Sequence, residues 1–191
     1  MDSFEIFDDF LNKEELEILM KYVNSVQWGY NTTSGNKINF IKKYNSELFI
    51  TTFFGVHDIT DTFFTEYLKN KINTIVNNRT NNKYNIKINR LYMHTQIYGQ
   101  DGLYHTDDLG KDKITFCIYL NEINNRKIEN SNGEFFLKLP EKDEIICIDT
   151  FYNRGIIFKS EYFHRGMAYN KKYSTKRICI TWKLELIDKI I

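Results

Sequence analysis

The chain has 191 residues and a mass of 22.9 kDa, enough to bury one continuous core of two packed layers without disulfide staples. Its formal net charge of +1 excludes the strong field by which a dedicated nucleic-acid or membrane-surface protein would announce its partner. No apolar run approaches the roughly 20 residues needed to span a bilayer, and the acidic start Met1-Asp2-Ser3-Phe4-Glu5 lacks a signal region, so a soluble, cytoplasmic protein is expected.

Residues 4–11 read as a short strand. Asn12 then caps a helix whose apolar positions Leu16, Leu19, Met20 and Val23 recur at helical spacing, with Trp28 closing it against the core. The polar, glycine-containing stretch 31–45 predicts a loop, and the β-branched and aromatic stretch 48–54 a strand. From Thr60, the positions Phe63, Phe64, Tyr67, Leu68, Ile72, Ile75 and Val76 trace a helical stripe that stops in the polar run 77–82.

Beyond Tyr84 the pattern changes to alternation. Strands are predicted at 86–98, 113–121, 135–139, 145–150, 155–159 and 177–186, with glycines between them. Cys117, Cys147 and Cys179 sit between apolar neighbours in these runs, which predicts buried, reduced thiols in an intracellular protein. Helices first, then closely spaced strands, predict an α+β fold in which a helical layer packs on a β-sandwich or jelly roll.

One triplet in this second half carries chemistry. About a quarter of a His-x-Asp triplet is expected by chance, so His105-Thr106-Asp107 needs support from its surroundings. On an extended backbone its two outer side chains point to the same side, whereas a helix would separate them by about 200°. With a distant second histidine, His164, they make two imidazoles and one carboxylate. Such a set on one face of a metal leaves the opposite positions open, as in a non-haem Fe(II) oxygenase.

Four further stretches frame these residues: Tyr98-Gly99 ahead of the triplet, Tyr119-Leu120-Asn121 at a strand end, Asn132-Gly133-Glu134-Phe135 opening a strand, and Arg154-Gly155-Ile156-Ile157-Phe158 before His164. In this order they resemble the 2-oxoglutarate- and Fe(II)-dependent dioxygenases, and within them the prolyl 4-hydroxylase-like branch. The resemblance implies a single domain with a double-stranded β-helix core at 84–191 and helical support with short strands at 1–83. It implies Fe(II) held by His105, Asp107 and His164, with 2-oxoglutarate and dioxygen as cosubstrates and ascorbate as an accessory reductant.

A buried cosubstrate carboxylate needs a fixed cation, and arginine meets it through two parallel hydrogen bonds. Arg177 is the expected clamp, since Arg177-Ile178-Cys179-Ile180-Thr181 resembles the family's basic-residue strand with its threonine. Lys176, which keeps the family spacing to Trp182, is the runner-up; a one-residue register change decides between them. By the same resemblance Tyr119 donates its hydroxyl to that carboxylate. Tyr98, expected on an inward-facing strand, and Thr181 are further candidate cosubstrate-binding residues; His94 and Gln96, which alternate with Tyr98, and Trp182 are candidate pocket residues. His57 has no family counterpart, and Asp101 and Asp108 read as solvated loop carboxylates. Because Asp107 is present, the resemblance is to a hydroxylase rather than a halogenase.

The substrate implied is a peptide or protein, hydroxylated at a proline. Two alternatives stay open: an oxidative demethylase of nucleic acid or small molecules, and a non-catalytic jelly-roll binding module. The alkylation-repair members carry a second arginine where this chain has Lys183. Specificity is expected from loops 31–45, 124–132 and 161–174. No feature calls for a membrane partner or selects an oligomeric state.

Overall fold

The structure, a computed structural model, describes residues 4–33, 52–57, 59–120, 132–173 and 175–189. Asn12 starts helix α1 (Lys13–Ser25) through a reciprocal cap. Its side chain accepts the Glu15 backbone N–H at 2.9 Å, and its own backbone N–H donates to the Glu15 carboxylate at 2.7 Å. Glu15 also accepts from the Tyr67 hydroxyl at 2.8 Å and the Lys71 ammonium at 2.6 Å, joining α1 to the second helical segment.

That segment departs from the expected α-helix. Residues Phe63–Leu68 wind as a π-helical turn before α2 (Lys69–Arg79) takes over. The Asp61 carbonyl receives the backbone N–H groups of both Phe64 and Thr65, at 3.1 Å each, a shared bond at the start of this segment. Phe64 and Leu68 are buried as the stripe requires, but Tyr67 is 51% exposed.

Among the described residues ten strands form two antiparallel sheets. They are β1 (Phe4–Phe7), β2 (Gly29–Thr33), β3 (Thr52–His57), β4 (Tyr84–Gln96), β5 (Lys113–Tyr119), β6 (Phe135–Leu139), β7 (Glu144–Ile148), β8 (Arg154–Lys159), β9 (His164–Gly166) and β10 (Arg177–Asp188). The larger sheet runs β1-β8-β5-β10-β4-β3-β2 and the smaller β7-β6-β9. Strands β1 to β3 therefore extend the sheet of the second half.

Several expectations are corrected. Residues 31–33 of the predicted loop belong to β2, and the rest of that loop lies outside the described residues, as do residues 48–51 of the strand expected before β3. Strand β4 stops at Gln96, not Tyr98. The Gln100 backbone N–H donates to the Ile97 carbonyl at 3.0 Å, the Gln100 side chain accepts the Ile97 N–H at 2.9 Å, and Gly99 adopts φ +84°, so the chain turns there. Cys117 and Cys179 are buried, but Cys147 is exposed on β7, at the edge of the smaller sheet.

Strict alternation divides the core. Leu91 and Met93 of β4, Phe116 and Ile118 of β5, and Ile178, Ile180, Trp182 and Leu184 of β10 face the helices. There they pack with Leu19, Val23, Phe64, Leu68, Ile72 and Val76. The opposite faces of β5, β8 and β10 contribute Cys117, Tyr119, Ile156, Phe158 and Cys179 to a second cluster, with Phe135 and Leu137 of the smaller sheet. The helices close one side of the larger sheet. A cavity opens between the two sheets on the other.

Candidate metal centre

His105 and His164 face each other across a two-residue antiparallel bridge. His105 N–H donates to the His164 carbonyl at 3.0 Å, and His164 N–H donates back at 2.9 Å. Their rings lie 4.4 Å apart. Asp107, two residues on, is anchored by its backbone N–H to the Ser160 carbonyl at 2.9 Å and joins the same side. One ligand atom from each of the three lies within 4.8 Å of the others.

The ring nitrogens are oriented for a metal. His105 Nδ1 lies 2.8 Å from the Leu103 carbonyl and His164 Nδ1 2.9 Å from the Tyr162 carbonyl. A carbonyl only accepts, so each Nδ1 carries the hydrogen and each Nε2 turns a bare lone pair towards Asp107, at 3.7 Å and 3.6 Å respectively. Burial between Phe135 and Phe158 disfavours the imidazolium and lowers the His164 pKa to about 4, even though Asp107 opposes that shift. For Asp107, burial raises the pKa, but His164, Lys183 and His105 outweigh it and hold the carboxyl well below the usual carboxylate range. A neutral His164 imidazole and an ionised Asp107 carboxylate are donor forms a divalent metal requires.

Asp107 is hydrogen-bonded through Oδ2, whereas its buried Oδ1 accepts no hydrogen bond among the described residues and has an ion contact alone. Thr115 donates its hydroxyl to Oδ2 at 2.7 Å and lies 2.9 Å from the Ser160 hydroxyl, while Lys183 Nζ stands 2.9 Å from Oδ1.

Beyond the three ligands a pocket with about 560 Å³ of space, its mouth included, runs between the sheets to Arg177. Arg177 is 1% exposed. Its Nε–H donates to the Gly133 carbonyl at 2.8 Å, an Nη1–H donates to the Gln96 side-chain oxygen at 2.7 Å, and the guanidinium lies 4.9 Å over the Tyr119 ring. Among the described residues no carboxylate pairs with it. A β-carbon on Gly166 would come within 2.8 Å of the guanidinium nitrogens, so a glycine is needed there.

Of the residues singled out by sequence, His94, Gln96, Tyr119, Thr181 and Arg177 line the pocket with the three candidate ligands. Three others do not. Tyr98 lies past the end of β4 and is 63% exposed. Trp182 is buried on the helix side, stacked on Phe64 at 6.4 Å and donating its indole N–H to the Phe64 carbonyl at 3.3 Å. Lys176 precedes β10 and is exposed, because the register that turns Arg177 inward leaves its neighbour outside. Sequence reasoning did not assign Lys183, Thr115, Cys117, Cys179 or Tyr92 to the site. The signal was the same alternation: positions 177, 179, 181 and 183 share a face, as do 115, 117 and 119.

No protein-family model matches the sequence, and no curated protein matches it. Solved structures match the fold. An oxidoreductase of the 2OG-Fe(II) oxygenase family from Burkholderia pseudomallei is similar with a TM-score of 0.70 and 10% identity, over 96% of this chain and 85% of that one. A prolyl-4-hydroxylase from Pseudomonas putida gives 0.64 and 12%, over 96% and 92%. A prolyl hydroxylase from Trichoplax adhaerens, in complex with a peptide fragment of the hypoxia inducible factor oxygen degradation domain, gives 0.63 and 20%, over 98% and 84%. The chain has the jelly-roll fold of the 2OG-Fe(II) oxygenases.

Proposed function

We propose that this protein is a 2-oxoglutarate- and Fe(II)-dependent dioxygenase that hydroxylates an unactivated C–H bond, with a prolyl residue of a peptide or protein as the substrate. The observation that carries this reading is the convergence of His105, Asp107 and His164 at the mouth of a pocket that ends on the buried Arg177. A guanidinium enclosed with neutral acceptors alone calls for an anion, and the pocket is closed enough to hold a small dicarboxylate.

In this reading His105, Asp107 and His164 bind Fe(II), with both imidazoles oriented by their own backbone carbonyls. Arg177, steadied by Gln96 and Gly133, binds the far carboxylate of 2-oxoglutarate, and the Tyr119 ring lies beneath the guanidinium. Phe135 and Phe158 keep water from the His164 side. The bound metal and cosubstrate would supply the oxidising power, with 2-oxoglutarate converted to succinate and carbon dioxide. The proline assignment is supported by the prolyl hydroxylases among the structures of the same fold.

Purified protein supplied with Fe(II), 2-oxoglutarate and ascorbate should form succinate, and His105→Ala and Asp107→Ala should each lower the rate at least about a hundredfold. Proline-rich peptides should gain the mass of one oxygen. Succinate formation unaffected by either substitution would refute the ligand assignment. Turnover with oxygen appearing only in nucleic-acid or small-molecule substrates would refute the peptide assignment.

A further inference from the structure

Lys183 stands where a metal centre would find it an obstacle. Alternation along β10 from Arg177 through Cys179 and Thr181 turns Lys183 into the site, and its ammonium reaches Asp107 Oδ1 at 2.9 Å. The other oxygen, Oδ2, already has the Thr115 hydroxyl at 2.7 Å, a neutral donor backed by Ser160. The carboxylate side chain is only 2% exposed, so a full positive charge on it is scarcely screened.

We propose that Lys183 is the resident counter-ion of the ligand set: it holds Asp107 until a divalent metal displaces it, and thereby sets the metal affinity of the site. This rests on the reading of His105, Asp107 and His164 as metal ligands. A dication sharing Asp107 with the ammonium would face a like charge a few ångströms away in a partly desolvated site. The lysine therefore has to leave, and it has somewhere to go. Its side chain is 22% exposed, and the Tyr92 ring, 5.8 Å from Nζ, flanks it on the pocket side. An outer-shell group that supports a metal acts in the opposite sense, since its loss weakens metal binding by about tenfold or more.

The sign of the effect is the test. Co(II) binding, followed by calorimetry near neutral pH, should be about tenfold tighter in Lys183→Met than in the parent protein. Without added metal the variant should melt at a lower temperature than the parent, because Asp107 has lost its cation, and saturating Co(II) should raise its melting temperature by more than it raises the parent's. Equal or weaker Co(II) binding by a folded Lys183→Met would overturn the inference while leaving the ligand assignment standing. Absence of Co(II) binding in both parent and variant would overturn the ligand assignment and the inference with it. Lys183→Arg keeps the charge and should bind Co(II) no more tightly than the parent; tighter binding would overturn the inference even if the methionine variant fails to fold.

Discussion

A guanidinium with neutral hydrogen-bond acceptors around it is costly to bury, yet Arg177 is 1% exposed with its donors directed to a backbone carbonyl and a glutamine. An anionic ligand bound beside it would offset that cost. Arg177→Ala should therefore weaken 2-oxoglutarate binding by about 2 kcal/mol or more, roughly thirtyfold, while metal binding measured by the same titration stays unchanged. Lys176→Ala, outside the pocket, should leave both affinities intact, and a comparable loss there would contradict the register of β10. Gly166→Ala should reproduce part of the Arg177 defect, because the added methyl meets the guanidinium nitrogens at 2.8 Å.

Among the elements, β10 carries two functions on its two faces. Its odd-numbered side chains from Arg177 to Lys183 address the site, and its even-numbered ones from Ile178 to Leu184 bind the helices to the sheet. Trp182 is the largest of the latter. It touches Phe64 of the π-helical turn and Phe116 of β5, and each contact adds to the area taken from water. Trp182→Ala should cost about 3–5 kcal/mol of stability, read as a lower urea midpoint. A loss below about 1 kcal/mol would contradict its place in the core.

At the scale of the whole molecule, the sheets enclose a charge arrangement that favours neutral His164 and ionised Asp107. The folded-state pKa of His164, about 4, lies below its ordinary 6.5. The resulting stability is thus complete above about pH 6.5 and is lost as pH falls from there towards 4, by about 3 kcal/mol in total. Asp107, also shifted down, extends the loss to more acid pH. Urea midpoints of the metal-free protein should fall through this window, and His164→Asn should flatten the fall; a parent-to-variant difference constant across the window would contradict the assignment. Metal affinity of the folded protein should fall as pH drops through about 4, where protons compete for the His164 Nε2.

Much of this architecture was legible in the chain. Local patterns determined the Asn12 cap, the helical stripes, the bounds of β6, and the convergence of His105 and Asp107 on one side of an extended backbone, because helix and strand periods are properties of the backbone itself. Alternation also determined which residues of β10 travel together. Which of its two faces meets the candidate site was decided only by tertiary packing: the helices claimed the Trp182 side and left Lys183 beside Asp107. Tyr98 was lost to the site for a similar reason, since the Gln100 side chain and the backbone of Gly99 turn the chain away after Gln96. Cys147 was left exposed because it lies on the face of β7 opposite Ile146 and Ile148, which pack into the second cluster. Periodicity fixes relative orientation along one element, whereas burial depends on what packs against each face, and that is known only once the chain has folded on itself.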